Sequence, residues 1–184
     1  MHQAESGLGG RKEASAVAAI AIRQTTIDDA AVIWQFIQQK AAFDREIGAF
    51  TGTVQTSVEK LQHTLFGDHP LAYALLAEDG DRAVGFALYY FRYSSFAGQP
   101  SLWLDDLFVD PAHRSQGVGA ALMAHLAAIA QTHNCTHLAW TADARNIRGL
   151  SFYNRLGASI THQHGTACLL KWIPPNLATN HYEG

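Results

Sequence analysis

The hydrophobic period of this chain changes between residues 71 and 133, and that change constrains the fold more than any other feature. LAYALLAED (71–79), AVGFALYYFRY (83–93) and SLWLDDLFVD (101–110) read as successive strands, with Asp79-Gly80 as a hairpin signal between the first two. Pro111 stops the third. RSQGVGAAL (114–122) follows, with two glycines one residue apart, and leads into VGAALMAHLAAIAQTH (118–133). There Val118, Leu122, Leu126 and Ile129 form one helical stripe, and the many alanines allow close packing on a sheet. A meander of strands followed by a strand–loop–helix calls for a mixed α/β domain with a central sheet.

The flanks extend the pattern. AIAIRQT (19–25) reads as a strand and TIDDAAVIWQFIQQKAAF (26–43) as an amphipathic helix, capped by Thr26, with Ile33, Phe36, Ile37 and Phe43 on one side. TSVEKLQHTLF (56–66) is a second helix, with Thr56 and Glu59 in capping-box register. HLAWTAD (137–143) is a strand, and NIRGLSFYNRLG (146–157) is a helix ended by Gly157. ASITHQH (158–164) and TACLLKWI (166–173) pair around Gly165, and Pro174-Pro175 ends the fold. The expected organisation is a mobile tail over 1–18, one domain over 19–173 and a C-terminal tail over 174–184.

A chain of 184 residues suits one domain, and 48% apolar with 16% charged residues describes a globular one. The formal net charge of -3 supplies no global basic field for nucleic acid or an anionic membrane, so any grip on a polyanion has to be local. Cys135 and Cys168 form no spaced pair and read as reduced thiols of a cytoplasmic protein. RKEASAVAAIAI (11–22) superficially resembles a signal peptide, but its apolar run is short and leads directly into Arg23. No segment is long enough to span a bilayer.

The glycine loop has two readings. It is neither a Walker loop, since no Gly-Lys-Ser/Thr follows, nor a dinucleotide fingerprint, since Leu122 stands where the third glycine belongs. The glycines then either let a helix start close to a strand or bring backbone close to a ligand. In the second case Gln116, Gly117, Val118, Gly119 and Ala120 turn N–H groups of a helix N-terminus onto a pyrophosphate, and Arg114 and Ser115 flank them.

Arg114, Gly117 and Gly119 after a strand ending in Phe108-Val109 resemble the acetyl-CoA loop of the GCN5-related N-acetyltransferase (GNAT) superfamily. Asn146 opening a helix and SFYNRLGA (151–158) closing it match the same superfamily. GDHPLAYALLAE (67–78), GFALYYFRY (85–93) and LWLDDLFV (102–109) resemble its diamine (spermidine/spermine) acetyltransferase-like branch. The resemblance covers residues 19–173 and implies a mostly antiparallel sheet flanked by helices, with acetyl-CoA as cosubstrate and no metal.

It also implies roles. Backbone N–H groups of Leu107, Phe108 and Val109 would meet the pantetheine arm, and Asn146 and Asn154 belong to the cofactor helix. Tyr153 would protonate the departing thiolate. Asp105 stands where the branch carries a glutamate that accepts the amine proton; being one methylene shorter, it favours a water relay. Asp106 would attract the cationic amine. Read from the residues alone, Tyr153 is also an ordinary amphipathic-helix residue and Asp105-Asp106 a solvated strand edge. Strand alternation sends one of the two aspartates away from any site.

The acceptor is less constrained. Glu46, Tyr90, Arg92 and Trp103 complete the expected substrate set, with Asp44 near the amine end. The polyamine enzymes carry an aspartate near Ser94, whereas relatives preferring thialysine-type amino acids carry serine. Arg92 is unfavourable to a polycation if it faces the site. A small primary amine, diamine, polyamine or amino acid, is the expected acceptor, and the branch usually forms homodimers. A protein lysine or N-terminal acetyltransferase and a non-catalytic acetyl-CoA sensor are the alternatives. The ten histidines show no zinc spacing, and neither cysteine falls in the two motifs.

Overall fold

The computed structural model describes residues 20–178; the expected N-terminal tail and Ala19 lie outside the described residues. The chain order is β1 (Ala21–Gln24), α1 (Ala30–Glu46), α2 (Val58–Phe66), β2 (Tyr73–Asp79), β3 (Arg82–Ser94), β4 (Gln99–Val109), α3 (Val118–Thr132), β5 (Leu138–Asp143), α4 (Ile147–Arg155), β6 (Ser159–His164) and β7 (Ala167–Trp172). The strands form one seven-stranded sheet in the order β1-β2-β3-β4-β5-β7-β6. Every neighbouring pair is antiparallel except β4 and β5, which run parallel.

Local chemistry moves several boundaries from their expected places. The first helix enters through a 3₁₀ turn over Ile27–Asp29. The Asp29 carboxylate accepts from the Thr26 backbone N–H at 2.7 Å and from both terminal nitrogens of Arg23 at 2.7 and 2.8 Å. The helix then runs past Phe43 to Glu46. The cap of α2 is Ser57 rather than Thr56: its hydroxyl accepts from the Lys60 N–H at 3.2 Å. Gly80, Gly157 and Gly165 take positive φ at the turns where the sequence places them.

Both faces of the sheet are covered, and strand alternation sorts the core between them. Leu76 and Phe86 pack with Ile33 and Phe36 of α1 and Leu61 and Leu65 of α2. The Phe36 and Phe86 rings stack at 5.4 Å. Their chain neighbours Leu75 and Ala87 belong to the opposite layer, with Leu122, Met123 and Leu126 of α3 and with Trp140 and Leu170. Each fully buried leucine of this set contributes about 2 kcal/mol. Ile129 of the expected stripe is half-buried, and Ala130 takes the inner position. The fold also continues beyond Pro174-Pro175: Leu177 is buried, and Asn176 Nδ2 donates to the Ala127 carbonyl at 3.1 Å.

Candidate active site

The site begins as an interruption of the sheet. β4 and β5 pair only at Leu102↔Leu138 and Trp103↔Ala139, although both strands run on. Beyond these two pairs lies a cleft of about 820 Å³, walled by Leu104, Asp105 and Leu107–Val109 on one side and Trp140–Asp143 on the other. The last turns of α1, the first turn of α3 and the inner face of α4 complete its lining.

A β-bulge decides which aspartate faces it. Leu88 pairs with Asp106 and Tyr89 with Leu104, which leaves Asp105 as the extra residue of β4. Asp105 lines the cleft. Asp106 instead reaches α1, where its Oδ1 lies 3.2 Å from Lys40 Nζ, and the same ammonium holds Asp44 Oδ2 at 2.5 Å. Water reaches the Asp105 carboxylate through the cleft mouth, yet the surrounding walls displace enough bulk solvent to raise its pKa. Burial is the largest cause and the Asp106 charge the second, against a lowering by Lys40. Burial works to discharge Lys40, but Asp106 and Asp44 outweigh it and hold the ammonium firmly protonated.

Tyr153 enters from α4. It is 8% exposed, lies with its ring 4.7 Å from Trp140 and 5.2 Å from Phe152, and lines the cleft. Burial, followed by the Asp106 charge, pushes its hydroxyl pKa well above the ordinary tyrosine value, so the phenol stays neutral. Asn146 also lines the cleft while capping α4, its Oδ1 accepting from the Gly149 N–H at 2.9 Å. A Cβ on Gly149 would lie 2.6 Å from the Asn146 side chain, so a larger residue there would displace the cap.

The two glycines of the loop serve different ends. Gly117 sits at φ +86° with open space around it, so it is there for its backbone conformation. Gly119 has ordinary φ, but a Cβ would lie 3.3 Å from the Phe152 ring, so it is there for close approach. The first helical bond of α3 runs from the Ala121 N–H to the Gly117 carbonyl at 2.9 Å, leaving the N–H groups of Val118, Gly119 and Ala120 without helical partners. Arg114, Arg148 and Arg155 line the same cleft. Arg114 donates through Nε to the Val109 carbonyl at 2.9 Å and lies over the Phe43 and Phe108 rings at 5.2 and 5.4 Å, while Arg148 donates to Ser115 Oγ at 3.0 Å. Unpaired N–H groups, a cationic rim and the buried, unpartnered indole N–H of Trp140 on the wall fit a long ligand with an anionic end, as acetyl-CoA is.

Leu107, Phe108, Val109, Ser115, Gly117, Gly119 and Ala120 all border the cleft. Others of the expected set do not. Gln116 turns its amide to the Ala112 carbonyl at 2.9 Å, and the Val118 side chain is in the core. Asn154 borders a separate apolar groove with Ile147, Leu150 and Ile160. Glu46 is exposed, and its charge acts on Arg114. Tyr90 and Trp103 pack at 6.4 Å, and Arg92 lies 4.6 Å from the Trp103 ring centroid, in a cluster outside the cleft lining. Conversely, Lys40, Trp140, Arg148 and Arg155 line the cleft without having been singled out from sequence. The available signals were the i,i+4 spacing of Lys40 and Asp44 and two arginines flanking the tyrosine motif.

Among the described residues, no three His, Cys, Asp or Glu side chains gather to hold a metal, and no helix is long and apolar enough to cross a membrane. Both cysteines are free and buried, and burial pushes the Cys135 thiol up to about 11.

The chain matches the Acetyltransferase (GNAT) family over residues 39–158. It is 30% identical over 161 residues to the thialysine N-epsilon-acetyltransferase of Bos taurus, a match covering 83% of this chain and 92% of that protein. It is 32% identical over 144 residues to the spermidine/spermine N(1)-acetyltransferase-like protein 1 of Homo sapiens, covering 74% of this chain and 20% of that longer protein. Among solved structures, the PaiA N-acetyltransferase of Thermoplasma acidophilum in complex with coenzyme A superposes with a TM-score of 0.67 at 16% identity, over 83% of this chain and 98% of the other. Family match and curated relatives together make this an acetyl-CoA-dependent N-acetyltransferase. The chain belongs to the GNAT family, in its diamine acetyltransferase-like branch.

Proposed function

We propose that the protein acetylates a primary amine of a small molecule, of the thialysine or lysine type, by direct attack within a ternary complex of enzyme, acetyl-CoA and amine. One observation carries the reading: the β4 bulge turns Asp105 into the same cleft that Tyr153 lines. An ammonium has to lose a proton before its nitrogen becomes a nucleophile. Asp105, ionised and reached by water, takes that proton through a bridging water. The nitrogen then bonds to the thioester carbonyl carbon, and the C–S bond breaks. Tyr153, kept neutral by its burial, gives its proton to the leaving sulfur, and the acylated nitrogen releases its second proton to restore the phenol. The free N–H groups of Val118, Gly119 and Ala120, with Arg114, Arg148 and Arg155, hold the anionic end of the cosubstrate. The thialysine acetyltransferase relatives support an amino-acid acceptor.

The test is free-thiol release from acetyl-CoA with thialysine, lysine, ornithine, putrescine and spermidine. Turnover with at least one amine, and double-reciprocal lines that intersect, is the expected result. Parallel lines would replace direct attack with an acetyl-enzyme, and acetyl-CoA binding without turnover would favour a sensor. We also propose a homodimer working in the cytoplasm. The apolar groove beside exposed Ile147 and Ile160 supports the first, and the two free cysteines the second. Light scattering reads the first directly.

A further inference from the structure

We infer that Lys40 is the residue that sets the charge of the amine this cleft accepts. Its ammonium occupies the place between Asp44 and Asp106 that a second substrate ammonium would need, so the site takes an acceptor bringing one net positive charge and discriminates against diamines and polyamines. The inference rests on the amine-acetylation reading above and goes beyond it by naming a residue and a charge class.

The geometry is that of a filled cation site. Lys40 Nζ lies 2.5 Å from Asp44 Oδ2 and 3.2 Å from Asp106 Oδ1, and the three side chains are only 27%, 22% and 20% exposed. The two carboxylates come from different elements: Asp44 lies one helical turn along α1, and Asp106 is presented by β4 immediately after the bulge. Lys40, Asp44 and Asp105 line the cleft together. Three carboxylates therefore stand at this end against one resident cation. Lys40 engages two of them, which leaves Asp105 as the carboxylate that an incoming ammonium meets. A second ammonium on the same substrate finds no open carboxylate there and faces Lys40 at close range, where like charges repel strongly in a site with reduced water. An amino acid acceptor is not penalised in this way, because its remaining charges sum to zero. Without Lys40, Asp44 and Asp106 would make an open acidic pair suited to a dication.

Lys40→Met keeps the apolar stem and removes the charge. Free-thiol release gives kcat/KM for putrescine and for thialysine in the wild type, Lys40→Met and Lys40→Arg. The putrescine-to-thialysine ratio is expected to rise at least tenfold in Lys40→Met and to stay near wild type in Lys40→Arg. In Lys40→Met/Asp44→Asn most of the gain should disappear, because the carboxylate that receives the second ammonium is gone. An unchanged or lower ratio in Lys40→Met overturns the inference. Calorimetric binding of putrescine to the CoA-saturated protein provides a readout independent of turnover. Tighter binding by about tenfold in Lys40→Met supports the inference, and equal binding overturns it. Absence of thiol release with every amine would instead defeat the acetylation reading and leave this binding comparison to decide the role of Lys40.

Discussion

The Tyr153 ring packs 4.7 Å from the Trp140 ring at 52°, with Phe152 on another side at 5.2 Å. A strand residue and a helix residue thus fix a neutral phenol on the cleft wall. Tyr153→Phe keeps these ring contacts and removes only the hydroxyl. It should lower kcat by about 10²-fold, the usual scale for losing one general acid, and leave the KM for acetyl-CoA within about threefold. Steady-state kinetics at neutral pH check this, and an unchanged kcat would put the proton donor elsewhere.

Asp105 carries the complementary prediction. Burial and then Asp106 raise its pKa, so the acid limb of kcat/KM should lie above the ordinary carboxylate value of about 4. Asp105→Asn should abolish that limb and lower kcat/KM by about 10²-fold. Stability should move the other way. A carboxyl whose pKa is higher folded than unfolded destabilises the fold progressively as pH rises from the unfolded pKa through the folded one. Asp105→Asn should therefore have a Tm at neutral pH no lower than wild type. A pH–rate profile and a melting curve on the same variant separate the two effects.

The loop glycines should fail differently. Gly117→Ala forces a side chain into left-handed backbone and should cost about 1–2 kcal/mol of stability. Gly119→Ala has no such conflict, but its methyl stands 3.3 Å from Phe152 and against the cleft. It should keep most of the stability while raising the KM for acetyl-CoA more than that for the amine. Thermal unfolding beside two-substrate kinetics distinguishes the pair.

Acid stability should report on Asp29. Hydrogen bonding from Arg23 is the largest cause holding its pKa down, to about 2. A depressed carboxyl pKa stabilises the fold above the unfolded value of about 3.9, and that stability is lost as pH falls through about 2. Because Arg23 is partly solvated, Asp29→Asn should cost about 1 kcal/mol near neutral pH. The Tm difference from wild type should shrink below about pH 4. A constant difference across that range would assign the cost to packing instead.

What could be read from the sequence follows from the range of each interaction. Turns at Gly80, Gly157 and Gly165 and the strand stop at Pro111 are local, so their residues announce them. The loop and tyrosine motifs were legible as a pair, and the structure brings both to one cleft. The bulge was not legible: two adjacent aspartates look the same in a regular strand and in a bulged one, and only the pairing of Leu88 and Tyr89 across β3 separates them. Lys40 and Asp44 are visible as an i,i+4 pair, but the third partner arrives from β4. Tyr90, Arg92 and Trp103 read as site residues because they share strands with the site. Yet β3 has 13 residues and therefore spans roughly 40 Å, so its far end extends beyond the cleft.

The two-pair contact between β4 and β5 has a mechanical consequence. It is the seam of the molecule, and the two halves of the sheet share few direct backbone bonds across it. α3 packs behind the β1–β4 side of the seam, and its Leu122, Met123 and Leu126 belong to one continuous core with Leu102 and Leu104 of β4 and with Leu138 and Trp140 of β5. The aperture that the substrates enter therefore depends on packing behind its lining, on the volumes of Leu122, Met123 and Leu126, which do not border the cleft.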